Sequence, residues 1–148
     1  MLGSLARKLR ALGFDTTYYR AGGDKALLEF ATRGRRVVLT SDRSLAARAK
    51  ASGVRAILVG GSNDRARING IVRAARVAGI PLLAGESLCS VCDGELRPLP
   101  RAAALSLVPP SVGRRHRLFF RCSVCGQVYW RGSHWKRLMS LARLLKEK

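Results

Sequence analysis

The chain has 148 residues, is 47% hydrophobic, and carries 28 Lys and Arg against 9 Asp and Glu, a formal charge of +19. That apolar share excludes long disorder, and the length bounds the chain to one ordinary domain or two small ones. No apolar run approaches the roughly 20 residues of a membrane span, and the first leucines are interleaved with Arg7, Lys8 and Arg10, unlike a secretory segment, so a soluble, cytoplasmic protein is expected.

Leu2, Leu5, Leu9 and Leu12 recur at helical spacing and predict an opening helix, which Gly13 stops. Residues 14–19 are aromatic and β-branched and predict a strand. Gly22-Gly23-Asp24 predicts a turn and an N-cap; Leu27, Leu28, Phe30 and Ala31 give the next helix its buried face, and Gly34 ends it. Residues 37–40 form a short continuous apolar run, the pattern of a strand buried on both faces. Ser41 or Asp42 caps a helix through about Ala51, residues 54–59 form a second buried strand, and Asp64 opens a helix with Ile68, Ile71, Val72 and Ala75 inward. That helix ends near Gly79, and residues 80–83 read as a last short strand. Strands alternating with helices at this spacing predict an α/β fold with a parallel sheet covered by helices.

Composition changes near Gly85, which divides the chain into an α/β domain over residues 1–85 and a module over residues 86–148. Pro98, Pro100, Pro109 and Pro110 exclude a long helix between them. Residues 118–121 and 127–130 predict two strands flanking Cys122 and Cys125. Ser133 then starts a C-terminal helix whose apolar face is Trp135, Leu138, Met139, Ala142 and Leu145.

All four cysteines fall in two Cys-x-x-Cys pairs, Cys89/Cys92 and Cys122/Cys125. Two residues between thiolates let one knuckle offer both sulfurs to a single tetrahedral ion, and four thiolates leave no open position, so a structural zinc is expected. Gly94 and Gly126 follow the knuckles where the backbone bends. Two disulfides are the alternative, which an intracellular chain disfavours. Binding such an ion supplies folding free energy to a segment too small to stand alone.

Basic charge spread over a folded chain is the footprint of a nucleic-acid partner, and the arginine excess suits RNA, because guanidinium groups fork onto phosphates and stack on bases. The other reading is a solvated surface adapted to heat or solubility. An anionic membrane is not expected, since no basic amphipathic stretch stands apart from the folded chain. Arg114, Arg115 and Arg117, around His116, form a basic run before a strand and are candidate RNA contacts, as are Arg131, His134 and Lys136. Tyr129 and Trp130 are candidates for base stacking, or for core. Acids are scarce. Asp42 directly follows the buried strand, at the carboxyl end where sites of parallel sheets assemble, and could hold a divalent metal or cap the next helix. Asp24 stands similarly before its helix, Asp64 is an outer ligand or a cap, and Asp15 is more simply structural.

The segments Met1-Leu2-Gly3-x-Leu5-Ala6-Arg7-x-Leu9-Arg10-x-Leu12-Gly13-Phe14-Asp15-Thr16 and Val38-Leu39-Thr40-Ser41-Asp42-Arg43-x-Leu45-Ala46 resemble the Mut-seven C-terminal RNase domain family, which is similar to PIN nucleases with a zinc ribbon attached. So do Cys89-x-x-Cys92-x-Gly94-x-Leu96, Val108-Pro109-Pro110-x-Val112 and the long block Phe120-x-Cys122-x-x-Cys125-Gly126-x-Val128-Tyr129-Trp130-Arg131-Gly132-Ser133-His134-Trp135. The resemblance implies a PIN-like fold and RNase activity dependent on Mg²⁺ or Mn²⁺, with Asp24 and Asp42 as acidic, catalytic residues. The family pattern usually opens on a strand ending in a metal-binding aspartate, and this chain begins after it; the start is trimmed, or this member has lost that group. Asp93 stands where Asn is usual. Two functions follow: a metal-dependent endoribonuclease, or a non-catalytic RNA-binding protein, associated with rRNA or the ribosome, that kept the fold. A toxin-like PIN protein fits less well, because a ribbon is atypical for one.

Overall fold

The computed structural model describes residues 2–146, the side chain of Lys146 excepted, so Met1 of the opening motif lies outside the described residues. Helix α1 spans Gly3–Ala11 and buries Leu5, Ala6 and Leu9, with Leu12 buried just beyond its end. Gly13 then takes a left-handed φ of 90°. A Cβ there would lie 2.2 Å from the Gly85 carbonyl oxygen, and the Gly85 amide donates to the Gly13 carbonyl at 2.9 Å. Only glycine allows both the conformation and the approach.

The expected strand over residues 14–19 does not form. The Thr16 carbonyl accepts from the Arg10 guanidinium at 2.7 Å, and the Thr16 amide donates to the Asp93 carboxylate at 3.2 Å. Side chains thereby consume the backbone groups that a neighbouring strand would need.

Leu2 and Tyr18–Leu82 form one compact unit. Helix α2 spans Asp24–Arg33 and buries Leu28 and Ala31, while Leu27 and Phe30 of the expected face are half-buried. Strand β1 (Val38–Thr40), helix α3 (Arg43–Ala51) and strand β2 (Ala56–Leu58) make a βαβ unit. The two strands pair in parallel, with Val38 opposite Ala56 and Thr40 opposite Leu58. Leu28 and Ala31 of α2, Val38 of β1, Leu45 and Ala49 of α3 and Val54 share one apolar cluster. Helix α4 spans Asp64–Val77 and buries Ile68, Ile71, Val72 and Ala75, the four residues its periodicity selects. Burying each of the larger three stabilises the unit by about 1.5–3 kcal/mol before entropy is counted.

Residues 80–83 are not a strand either. The Ile80 amide closes the end of α4 on the Ala75 carbonyl, and Pro81 has no N–H to donate. The fold is therefore mixed α/β with a parallel sheet of two strands, a smaller sheet than the sequence pattern suggests.

Gly3–Thr17 and residues 83–146 form the second compact unit, so α1 belongs with the cysteines. Its sheet is antiparallel, in the order β3 (Leu96–Leu99), β4 (Phe119–Cys122), β5 (Val128–Trp130). Pro98 lies in β3, an edge strand, where a missing N–H is tolerated. The proline-rich connection from β3 to β4 folds as two short helices, α5 (Arg101–Ala104) and α6 (Pro110–Arg115). Ala104, Val108 and Phe119 form the core there, packed by Leu99, Val112, Val128 and Trp130. Helix α7 (Ser133–Lys146) has Trp135, Leu138, Met139, Ala142 and Leu145 half-buried, while Leu144, outside the expected set, is the buried one.

Candidate metal centre and nucleic-acid surface

Each cysteine pair sits on a tight turn of the same kind. The Asp93 amide donates to the Cys89 carbonyl at 2.9 Å, and the Gly126 amide donates to the Cys122 carbonyl at 3.1 Å, so each turn folds back on its first cysteine. The Cys89 amide bonds the Gly94 carbonyl and the Cys122 amide bonds the Gln127 carbonyl, which closes each turn as a small hairpin. Cys89 and Cys122 are buried and Cys92 and Cys125 exposed.

The four sulfurs lie within 4.8 Å of one another, and all four thiols are free. Cys89 and Cys125 are 3.6 Å apart and Cys92 and Cys122 3.4 Å apart. Four sulfurs at about 2.3 Å from a tetrahedral ion would stand about 3.8 Å apart, so the donor set fits a metal ion such as zinc. Among the described residues this is the one group of three or more metal-ligating side chains placed to hold an ion.

The surroundings favour charge on one of these sulfurs, that of Cys122, whereas burial and the neighbouring thiols push the Cys92 thiol up to about 12. Burial alone would raise the Cys122 thiol, but the Cys125 and Val124 amides, 3.5 and 3.4 Å from its sulfur, help bring it down to about 6. The Tyr129 hydroxyl lies 3.0 Å from the Cys89 sulfur and 3.1 Å from the Ser90 hydroxyl. Burial, then the bond to Cys89, push the Tyr129 hydroxyl up to about 12, so it stays a donor. A donor on a ligating sulfur orients the ligand and spreads its charge. Gly94 faces the second knuckle so closely that a Cβ would lie 2.7 Å from the Cys122 sulfur and 2.9 Å from Val124.

Arg10 of α1 reaches the first knuckle from a distant part of the sequence. It is only 8% exposed, and its guanidinium donates to the carbonyls of Ser90 and Val91, both at 3.0 Å. These are the two residues between Cys89 and Cys92. The Leu88 amide in turn donates to the Arg10 carbonyl at 2.9 Å. Asp93, in the left-handed region at φ 69°, places a carboxylate oxygen 3.7 Å from the Arg10 guanidinium. Burial pushes the Asp93 carboxyl up to about 6, Asp15 beside it adds to the rise, and Arg10 pulls the other way. Sequence reasoning assigned no role to Arg10, Asp93 or the Tyr129 hydroxyl. The one available signal was that all three fall inside or beside family motifs at positions not required by core or metal.

The basic candidates are mostly at the surface of the same unit. Arg114 and Arg115 end α6, Arg117 precedes β4, Arg131 follows β5, and His134 and Lys136 lie in the first turn of α7; all six are exposed. His116 is half-buried and ends α6. Trp130 packs into the small core, and Tyr129 turns its hydroxyl onto the metal cluster.

The acidic candidates lie in the other unit. Asp42 follows β1 and caps α3: one carboxylate oxygen accepts from the Ser44 amide at 2.7 Å and the Leu45 amide at 3.2 Å. Asp24 opens α2 without capping it and pairs with Arg48 of α3. Asn63, rather than Asp64, caps α4, accepting from the Ala66 amide at 2.9 Å.

The chain thus combines an α/β unit with a parallel two-strand sheet and a unit that carries a four-cysteine cluster able to hold a metal ion. The chain belongs to the Mut7-C RNAse domain family, whose model matches residues 1–142. No curated protein and no solved structure matches it.

Proposed function

We propose that the chain is an RNA-binding protein whose ribbon is held by zinc and whose arginine-rich surface tracks the phosphate backbone. The observation that carries this reading is the charge of +19 on a folded member of an RNase family, with Arg114, Arg115, Arg117, Arg131, His134 and Lys136 all exposed. Phosphate neutralisation releases counterions, so the affinity for RNA must fall steeply and log-linearly as salt rises. Titration of an RNA pool across a salt series tests this, and a flat response overturns it. Metal analysis showing one zinc per chain supports the ribbon; a metal-free folded chain counts against it.

Cleavage of RNA by a PIN-like site is the second reading, and Asp42 favours it. Its carboxylate stands at the carboxyl end of β1, and both amides that it caps bond the same oxygen. Asp42 and Asp24 would hold Mg²⁺ or Mn²⁺, whose contribution would be to polarise the phosphodiester and supply a bound hydroxide. Asp24 favours the non-catalytic alternative, in which the fold serves on rRNA or the ribosome, because Arg48 already neutralises it. Incubating structured RNA with Mn²⁺ and either the native chain or Asp42→Asn decides between them. Cleavage lost in the variant establishes the nuclease, and binding without Asp42-dependent cleavage establishes the non-catalytic protein.

A further inference from the structure

Alternation along the strands divides the aromatic side chains of the ribbon sheet between two faces. Phe119 is paired with Trp130 and lies on the face that packs with Ala104 and Val108. Phe120 is paired with Tyr129 and lies on the other. On that second face the Arg131 guanidinium stands over the Phe120 ring, 5.7 Å from its centroid, and over the Trp135 ring of α7 at the same distance. Arg131 itself is exposed, and both rings are half-buried.

Three flat groups, one of them cationic, thus lie together at the surface of a strongly basic chain. No ion pair of Arg131 with an acid is present among the described residues. The 5.7 Å separations lie near the outer limit of a cation–π contact, about 6 Å, so the guanidinium is attracted by both rings and tightly stacked on neither. A guanidinium plane and an indole or phenyl face stack on a nucleobase, and every base offers the π-face needed. In a duplex those faces are covered by neighbouring bases; in loops, bulges and single strands they are open. Exposed arginines, Arg131 included, can meet phosphate on either kind of RNA, but a base can stack on this cluster only where it is unpaired.

We propose that Arg131, with Phe120 and Trp135, forms a stacking site for an unpaired base, so that this face of the ribbon selects single-stranded or looped RNA over duplex. The inference rests on the RNA-binding reading and adds to it the kind of RNA bound. The test uses the full zinc-loaded chain and three labelled probes read by fluorescence anisotropy: a short single-stranded oligoribonucleotide, the duplex of the same sequence, and the single strand with abasic positions.

The native chain is expected to bind the first at least about tenfold more tightly than the other two. Arg131→Lys keeps the charge and loses the planar group, so it is expected to bind all three probes with similar affinity. Wild-type discrimination retained in Arg131→Lys, or no discrimination by the native chain, overturns the stacking site while leaving RNA binding intact. No salt-sensitive binding to any probe refutes the RNA reading, and the stacking site with it. A second readout does not depend on the Arg131 variant. In a Trp130→Phe chain, the single strand should quench Trp135 emission and the abasic strand should not; equal response to both counts against stacking.

Discussion

Replacing Arg10 by Met keeps much of the side-chain volume and removes the guanidinium that fastens α1 to the first cysteine turn. Three bonds are lost, to the carbonyls of Thr16, Ser90 and Val91 at 2.7, 3.0 and 3.0 Å, together with the ion pair to Asp93 at 3.7 Å. A hydrogen bond from a charged donor contributes about 1.5–3 kcal/mol, and breaking a buried ion pair costs about 3–5 kcal/mol. The terms overlap, and water can reach the exposed Val91, so a net loss of about 3 kcal/mol is expected. Domain stability is only about 5–15 kcal/mol, so this is a large fraction of it. The affected turn carries two of the four sulfurs, and loss of a group that orients metal ligands costs about 10–100-fold in affinity. The assay is competition with a chromogenic zinc chelator, paired with urea unfolding. Arg10→Lys keeps the charge but cannot reach three carbonyls at once, and should fall between the two. Zinc released from Arg10→Met at the native rate, with unfolding shifted by less than about 0.5 kcal/mol, would refute the argument that α1 supports the metal turn.

Gly94→Ala should lose zinc, because its Cβ would sit 2.7 Å from the Cys122 sulfur; metal content equal to the native chain would show that the turn can yield. Asp93→Asn should leave stability unchanged or raise it by up to about 1 kcal/mol, since the raised carboxyl shows that its charge is disfavoured where it stands and Asn accepts a left-handed backbone. A marked loss in thermal unfolding would mean that the ion pair with Arg10 outweighs burial and Asp15. Asp42→Asn should keep the α3 cap and Asp42→Ala should lose about 1 kcal/mol, because Asn caps as well as Asp. Equal stability of the two variants by urea titration would refute the capping role.

Much of the local structure was legible because it depends on neighbours in the chain. The periodicity of Ile68, Ile71, Val72 and Ala75 named the buried face of α4, and the glycine stops marked helix ends. The Cys-x-x-Cys pairs named all four members of the metal cluster, since two-residue spacing suffices to form each turn. The two strands that failed had sound patterns but no free backbone: Arg10 and Asp93 occupy Thr16, and the close of α4 occupies Ile80.

The sequence by itself determined the longer helices, the strands around residues 38–40, 56–58, 119–122 and 128–130, the basic charge and the set of cysteine donors, because charge, periodicity and ligand spacing are local properties. Only the tertiary structure decided that α1 belongs with the ribbon, that Arg10 holds the Cys89 turn, that Tyr129 faces a sulfur rather than solvent, and that Arg131 stands between Phe120 and Trp135. Each of these joins groups from separate segments, Arg10 and Val91 being 81 positions apart. Which of many arginines is buried beside a metal turn, and which meets a ring, depends on how the closed chain packs.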